Sequence, residues 1–323
     1  MDRTELVSRR LKLRDLQLLE AVVRQGSMAQ AASHLNLSQP AVSKAITGLE
    51  RALGVRLLDR STRGVEPTRY GTALLKRGTA IFDEVRQGVK EIEFMADPAA
   101  GELRIACGEV FTAGLLPAII ERLGRQYPRI ICQVEQANTV STLEFLELRE
   151  RRVDLALGRI PEVFEEKDLN ADILFHERVY IVAGRQSKWA RRRQIKLEEL
   201  VDEPWLLVPP NTLSSKMIED AFAASGLGMP RASVLSFSVH LRNSLLPTGR
   251  YLAYLPGSFL RFGAMRASFK VLPVRFPVKP MPVAIISLKN RTLNPAVQLF
   301  IKCAHEVAKP LANGSAGQRA GKS

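Results

Sequence analysis

Apolar residues at Val42, Ile46, Leu49 and Leu53 recur with the spacing of a helix that buries a single stripe. Advancing about 100° per residue from that stripe places Pro40, Ser43, Lys44, Thr47 and Arg51 on the opposite face, a set of short hydrogen-bonding side chains and bases. Ser38 is the expected N-cap, and Pro40 is tolerated in a first turn whose amides have no partner within the helix. The helix therefore begins near Gln39. A shorter helix over roughly 28–35 precedes it and supplies Ala31, Ala32 and Leu35, small enough for two helices to cross closely. Asn36 suits a left-handed turn and Leu37 the gap between the two helices. Upstream, Leu13, Leu16, Leu19 and Val23 predict a third amphipathic helix closing the core.

Taken alone, this pattern fits any helical hairpin with a polar outer face as well as it fits a helix-turn-helix that enters a DNA major groove. The flanks favour DNA. The run VRLLDRSTRGVEPT from Val55 reads as a hairpin whose tip carries Arg60 and Arg63, cations suited to phosphates or a minor groove. The candidate DNA-binding set is thus Ser38, Gln39, Pro40, Ser43, Lys44, Thr47, Arg51, Arg60 and Arg63. SQPAVSKAITGLE from Ser38, LGVRLLDR from Leu53 and the following GVEPTRYG resemble, in order and spacing, the LysR-type transcriptional regulators.

Beyond Thr68 a helix is predicted to about Met95, with Leu74, Gly78, Ile81, Val85, Gly88, Ile92 and Met95 alternating in steps of four and three, a heptad-like seam. Glycines on such a seam weaken the helix but admit a partner backbone. Packing of this helix onto its own domain is the alternative. The resemblance implies dimerisation through it, and commonly tetramers. ADPAAGE from Ala96 reads as a hinge. Thereafter ELRIAC, a helix over about 113–126, RIICQVEQ, a helix over about 139–151 and VDLALG alternate strand with helix, which implies a parallel sheet carrying ligand loops at its strand ends. Strands near 179–183, 205–208, 251–255 and 283–288 suggest a second lobe inserted into the first.

The expected organisation is an α/β chain with an N-terminal all-α winged helix-turn-helix domain (1–68), a linker helix (69–96) and a two-lobed effector domain (97–312). Its first lobe is about 101–178 with 280–312, its second about 179–279, and a compositionally disordered tail follows over 313–323. The resemblance implies that the two lobes share the fold of periplasmic solute-binding proteins. Segments starting at Thr112, His240 and Ser287 are further similar to a galactose-binding-protein regulator subgroup of the family.

Among 323 residues, 47 Lys and Arg stand against 33 Asp and Glu, a net charge of +14 that favours polyanionic partners. Residues 1–98 carry only +4 of it, so total charge does not locate the DNA site. The cluster Arg185, Lys188, Arg191, Arg192, Arg193 and Lys196 reads as a solvated face. No long apolar run or secretory signal is present, which places the chain in the cytoplasm without a membrane partner. Cys107, Cys132 and Cys303 lack metal or disulfide spacing and read as reduced thiols. No metal or cofactor is expected.

Catalysis finds no support, because His34, His176, His240 and His305 lie on separate elements and no nucleophile or phosphate-loop motif occurs. A bilobal enzyme fused to a DNA-binding head is the alternative to a regulator. For the effector, a sugar or an organic acid, the candidates at predicted strand ends are Thr112, Asn138, Thr139, Arg159, Ser214 and His240, within the segments 109–112, 138–141, 211–214 and 238–240. Thr112 and Ser214 stand at predicted helix starts, where free amides attract an oxygen. Double-stranded DNA, that effector, RNA polymerase and further copies of the chain, as homodimer or homotetramer, complete the expected partners.

Overall fold

A computed structural model describes residues 11–61, 64–136 and 142–316. Contacts divide the chain into two compact units, up to Arg86 and from Gln87 onward.

In the first unit, α1 (Leu13–Gln25), α2 (Met28–His34) and α3 (Gln39–Leu53) precede a hairpin of β1 (Leu58–Ser61) and β2 (Gly64–Pro67). Ser27 and Ser38 cap α2 and α3 by accepting from the amides of Gln30 and Ala41, and Asn36 sits at φ +53° between them. Val42, Ile46 and Leu49 are buried with Ala31 and Ala32, and Leu37 packs beside them. On α1 the buried stripe differs from the expected one: Leu16, Leu18, Leu19 and Val22 face the core, Leu13 is exposed and Val23 only half-buried. The core wraps over more than one side of α1, so a strict three-and-four spacing from Leu13 missed its inner residues.

Helix α4 (Arg69–Ala96) begins at Thr68, whose hydroxyl accepts from the amides of Tyr70 and Gly71 and donates to the Arg56 carbonyl. Gly71 is needed there, because a Cβ would lie 2.1 Å from the Leu57 carbonyl oxygen. The predicted seam divides in two. Leu74 packs on the helix-turn-helix core, and Gly78 faces Leu16 at 3.9 Å from a built Cβ, so this half serves its own domain. Ile81, Val85, Ile92 and Met95 are exposed, the last two at 68% and 70%.

The second unit continues with β3 (Ala100–Cys107), α5 (Glu109–Thr112), α6 (Leu115–Gln126), β4 (Arg129–Gln136), α7 (Thr142–Arg149), β5 (Leu155–Arg159) and β6 (Leu169–Glu177). A second sheet then forms from β7 (Val179–Gly184), β8 (Trp205–Leu207), β9 (Ala232–Leu235), β10 (Leu252–Pro256) and β11 (Phe269–Val271). It is accompanied by α8 (Leu213–Ala223), α9 (Val239–Leu245) and α10 (Gly257–Phe262). The chain returns to the first sheet as β12 (Met281–Leu288) and closes with α11 (Pro295–Ala316). Sheet orders are β4-β3-β5-β12-β6 and β11-β7-β10-β8-β9.

Both sheets are mixed rather than parallel. In each, the strand entered from the other sheet, β12 or β7, runs antiparallel to its neighbours. A chain crossing between the sheets arrives at the ends where the other strands finish, so it must run back against them. The pairs Arg159 with Val283, Glu177 with Met281 and Pro256 with Val179 mark those ends. Side-chain alternation gives the first sheet two covered faces: Leu103, Ile105, Leu155 and Leu157 meet α6 and α11, whereas Ala106 and Ala156 meet Phe145 and Leu148 of α7.

The helix expected over about 113–126 is present as α6, preceded by the separate one-turn helix α5. The tail expected from Asn313 starts inside α11, which propagates from the packed residues Val307, Ala308 and Leu311 to Ala316; residues 317–323 lie outside the described residues.

Candidate nucleic-acid interface and ligand cleft

Burial of Val42, Ile46 and Leu49 leaves Gln39, Pro40, Lys44, Thr47 and Arg51 exposed along the other side of α3, with Ser38 exposed at its N-cap and Ser43 half-buried. The face thus offers hydroxyl, amide and cationic groups on a rigid helix start, the chemistry that reads base edges. Glu50, on the same helix, is turned inward: its Oε1 accepts from the amides of Leu57 and Leu58 at 2.8 and 3.3 Å and so ties α3 to the first strand of the hairpin. The hairpin is tied again by Val65, whose amide donates to the Gly26 carbonyl at 2.9 Å. Gly64, at φ +129°, supports this approach, since a Cβ would lie 2.9 Å from that carbonyl oxygen. Arg60 is exposed on β1. Arg63, like Asn138 and Thr139 in the second unit, lies outside the described residues.

In the second unit the strand ends of the two sheets converge on a cleft of about 750 Å³ of empty space, its open mouth included. Helix α5 contributes Glu109 and Phe111, and the end of β5 contributes Arg159; segments after β8 and β9 contribute Thr212, Ser214 and Phe237; α9 and β10 contribute Arg242 and Tyr254. Of the described effector candidates, Arg159 and Ser214 line this cleft.

Thr112 does not. It ends α5 rather than starting a helix, its amide donates to the Gly108 carbonyl and its hydroxyl to the Glu109 carbonyl, so no free donors remain there for a ligand. His240 is exposed and is not among the lining residues; its amide donates to Glu109 Oε1 at 3.3 Å. Ser214 sits in the first turn of α8 behind the N-cap Thr212, which exchanges hydrogen bonds with Ser215 at 3.0 Å in both directions.

Arg159 has a protein carboxylate already. Its Nη2 lies 3.3 Å from Glu177 Oε2, both side chains nearly buried, and Glu177 also accepts from the Ser258 amide and hydroxyl at 2.9 and 3.1 Å. This network joins β5 and β6 of one sheet to α10 beside the other, at the crossing. The guanidinium lies over the Phe111 ring at 5.3 Å, and its buried Nε has no hydrogen-bond partner among the described residues.

Arg242 and Tyr254 were not foreseen. Arg242 is 9% exposed, and no ion pair or side-chain hydrogen bond to another described residue satisfies it. Burial lowers its pKa, opposed by Tyr254 and the Glu109 carboxylate, while Arg159 adds to the lowering. The Tyr254 hydroxyl is buried without a partner among the described residues, and burial pushes its pKa up to about 12 against the pull of both guanidiniums. A sequence signal for Arg242 existed only in retrospect: it stands between apolar Leu241 and Leu245 on the first turn of a helix opened by Ser238.

Among the described residues no group of three or more His, Cys, Asp or Glu is gathered to hold a metal ion, and no helix is long and apolar enough to cross a membrane. The cluster 185–196 is partly self-neutralised, with Lys188 paired to Glu203 at 2.7 Å and Arg192 to Glu199 at 3.0 Å.

Comparison with known proteins follows the same division. A family model described as bacterial regulatory helix-turn-helix protein, lysR family, matches residues 13–72, and one described as LysR substrate binding domain matches residues 96–309. The uncharacterized HTH-type transcriptional regulator YdcI of Escherichia coli is 25% identical over 301 residues, covering 93% of this chain and 97% of that protein. The HTH-type transcriptional regulator GbpR of Azospirillum brasilense is 27% identical over 292 residues, 90% of this chain and 84% of that protein. Among solved structures, full-length CbnR complexed with its target DNA shares the fold with a TM-score of 0.63 at 21% identity, covering 92% of this chain and all of that one.

Proposed function

This chain belongs to the LysR family of bacterial transcriptional regulators, and we propose that it reads its operator with the outer face of α3 while a small molecule in the cleft of the second unit controls the outcome. Ser38, Gln39, Pro40, Ser43, Lys44, Thr47 and Arg51 meet the major groove, and Arg60 and Arg63 hold the backbone or minor groove. The single observation that carries this reading is the division of α3 into a buried apolar stripe and an exposed polar face at the start of a capped helix. The exposed half-seam Ile81, Val85, Ile92 and Met95 supports pairing of two α4 helices, hence a homodimer or, by a second contact, a homotetramer. Two α3 helices then address two half-sites. The protein works in the cytoplasm, where chromosomal DNA and RNA polymerase are available.

The effector-domain reading places the ligand among Arg159, Thr212, Ser214, Arg242 and Tyr254, where strand ends of both sheets meet. Control of transcription requires that the ligand bind one arrangement of the oligomer more tightly than another. The test is selection of bound genomic fragments by the full-length protein, with and without candidate sugars and organic acids. Enrichment of a two-half-site sequence, altered in footprint or affinity by one class of ligand, is expected. Binding without sequence preference defeats the reading of α3; a footprint that no cleft ligand alters defeats the switch.

A further inference from the structure

Three residues lining one cavity carry polar groups with no hydrogen-bond partner among the described residues: the Tyr254 hydroxyl and the Nε of Arg159, both buried, and the guanidinium of Arg242, 9% exposed. Buried polar groups are ordinarily satisfied, and an unpaired buried cation is among the most costly exceptions. Of the neighbouring carboxylates, Glu177 holds Arg159 and Ser258, and Glu109, which accepts from the His240 amide, acts on Arg242 through its charge without a hydrogen bond or ion pair to it. Phe111, Val208, Leu213 and Phe237 supply apolar walls beside Thr212 and Ser214. One compact anionic head and an apolar body are what this surface lacks. A neutral sugar fits it less well, since it brings no negative charge into contact with the Arg242 guanidinium.

Resting on the reading of the cleft as the effector site, we infer that the effector is a small organic carboxylate whose acid group lies between Arg242 and Tyr254, with Arg159 Nε as a further donor. The carboxylate accepts from the guanidinium and the phenol, which stays protonated and so donates. Hydroxyls of Thr212 and Ser214 lie at the same cleft for a second polar group on the ligand.

The test uses the full-length protein and a panel of short mono- and dicarboxylates, benzoate and phenylacetate among them, each paired with its primary amide, together with D-galactose. Thermal stabilisation and calorimetric titration are measured for wild type, Arg242→Gln, Tyr254→Phe and Phe237→Ala. At least one acid is expected to stabilise the wild type while its amide does not. Arg242→Gln weakens that acid about 10- to 100-fold, the range of a lost charge-assisted hydrogen bond, and Tyr254→Phe about 3- to 10-fold.

In the ligand-free state Arg242→Gln melts at or above the wild-type temperature, because it removes an unpaired buried charge. A lower melting temperature for that variant identifies Arg242 as a structural residue and overturns the proposal. So does an amide or galactose that binds as well as the acid, or an acid whose affinity Arg242→Gln leaves intact. If neutral ligands bind and Phe237→Ala weakens them, the cleft reading survives and only the carboxylate class falls. Binding that no cleft substitution affects removes both. Absence of binding by every acid overturns the class, and the fragment selection then judges the cleft separately.

Discussion

Asp154 and Arg291 form an ion pair of 2.7 Å with side chains only 2% and 1% exposed, and Asp154→Asn tests how much of the effector unit depends on it. The carboxylate accepts three donors: Arg291 Nη2, Arg104 Nη2 at 3.4 Å and the Arg104 amide at 2.8 Å. Asparagine keeps the shape but only one acceptor oxygen, and its amide nitrogen turns a donor toward donors. Arg291 also donates to the Val153 carbonyl at 2.7 Å, so its guanidinium is held in place and cannot swing to water. Charge-assisted bonds contribute about 1.5–3 kcal/mol each, and stripping one partner from a buried pair costs about 3–5 kcal/mol. For a unit of this size about 2–4 °C is lost per kcal/mol, so the effector transition should fall by on the order of 10 °C. Differential scanning calorimetry of the full chain resolves that transition. A double change, Asp154→Asn with Arg291→Met, should recover much of the loss, because the buried Arg291 charge is then gone while the asparagine oxygen still accepts from the Arg104 amide. A single variant melting within about 2 °C of wild type, or a double variant worse than the single, refutes the reasoning.

Opposite signs are expected at two glycines of α4: Gly71→Ala forces a Cβ against the Leu57 carbonyl and destabilises the DNA-binding unit by about 1–3 kcal/mol. Gly78→Ala meets Leu16 at ordinary contact distance and stabilises by up to about 1 kcal/mol, both read by thermal melts. Ser43→Ala relaxes preference at particular base pairs with an unchanged salt slope, whereas Arg60→Ala weakens all sequences alike and flattens the slope; quantitative binding to randomised duplexes separates the two. Ile92→Glu places a charge on the exposed half-seam and should shift sedimentation toward monomer without lowering the melting temperature of either unit. Burial raises the Cys132 thiol from 9.0 to about 11, so at pH 8 its thiolate fraction is about 100-fold below that of a free cysteine. Alkylation by iodoacetamide should be correspondingly slow and accelerate as pH rises toward 11; rapid labelling at pH 8 contradicts the burial.

Helix α3 was legible because one stripe of it is wholly buried and both its ends carry local signals, Ser38 at the start and Gly54 at φ +72° at the close. Strand β6 was not read from the pattern. Its residues LNADILFHE mix Leu174 and Phe175, which pack in the core, with exposed Ile173 and a half-buried Asp172, and a register shift in its pairing with β12 breaks the alternation. The antiparallel runs of β12 and β7 follow from the double crossing between sheets, which local periodicity does not encode. For the cleft, strand-end reasoning reached Arg159 and Ser214, whose positions depend on one strand or helix start. Arg242 and Tyr254 escaped it because their meeting requires α9 and β10 to be set beside the first sheet, a tertiary fact. Thr112 failed for a local reason: a one-turn helix had already used its amide.

The crossing between the sheets is where ligand chemistry and protein geometry meet. Arg159, Glu177 and Ser258 span it through buried hydrogen bonds, and Arg159, whose Nε has no partner among the described residues, also lines the cleft. A carboxylate that engages Nε therefore acts on a side chain already shared between the two sheets, without needing a separate relay. Ser258→Ala would remove one of the two donors that α10 offers to Glu177 while leaving the backbone amide in place. If the crossing transmits occupancy, this variant should bind the same acid with less than about a tenfold change, since only one hydrogen bond away from the ligand is lost, and yet show a smaller ligand effect on the DNA footprint. Equal footprint responses in wild type and variant would show that the lobes communicate by another path. A loss of affinity as large as that of Arg242→Gln would instead make Ser258 part of the ligand's own support.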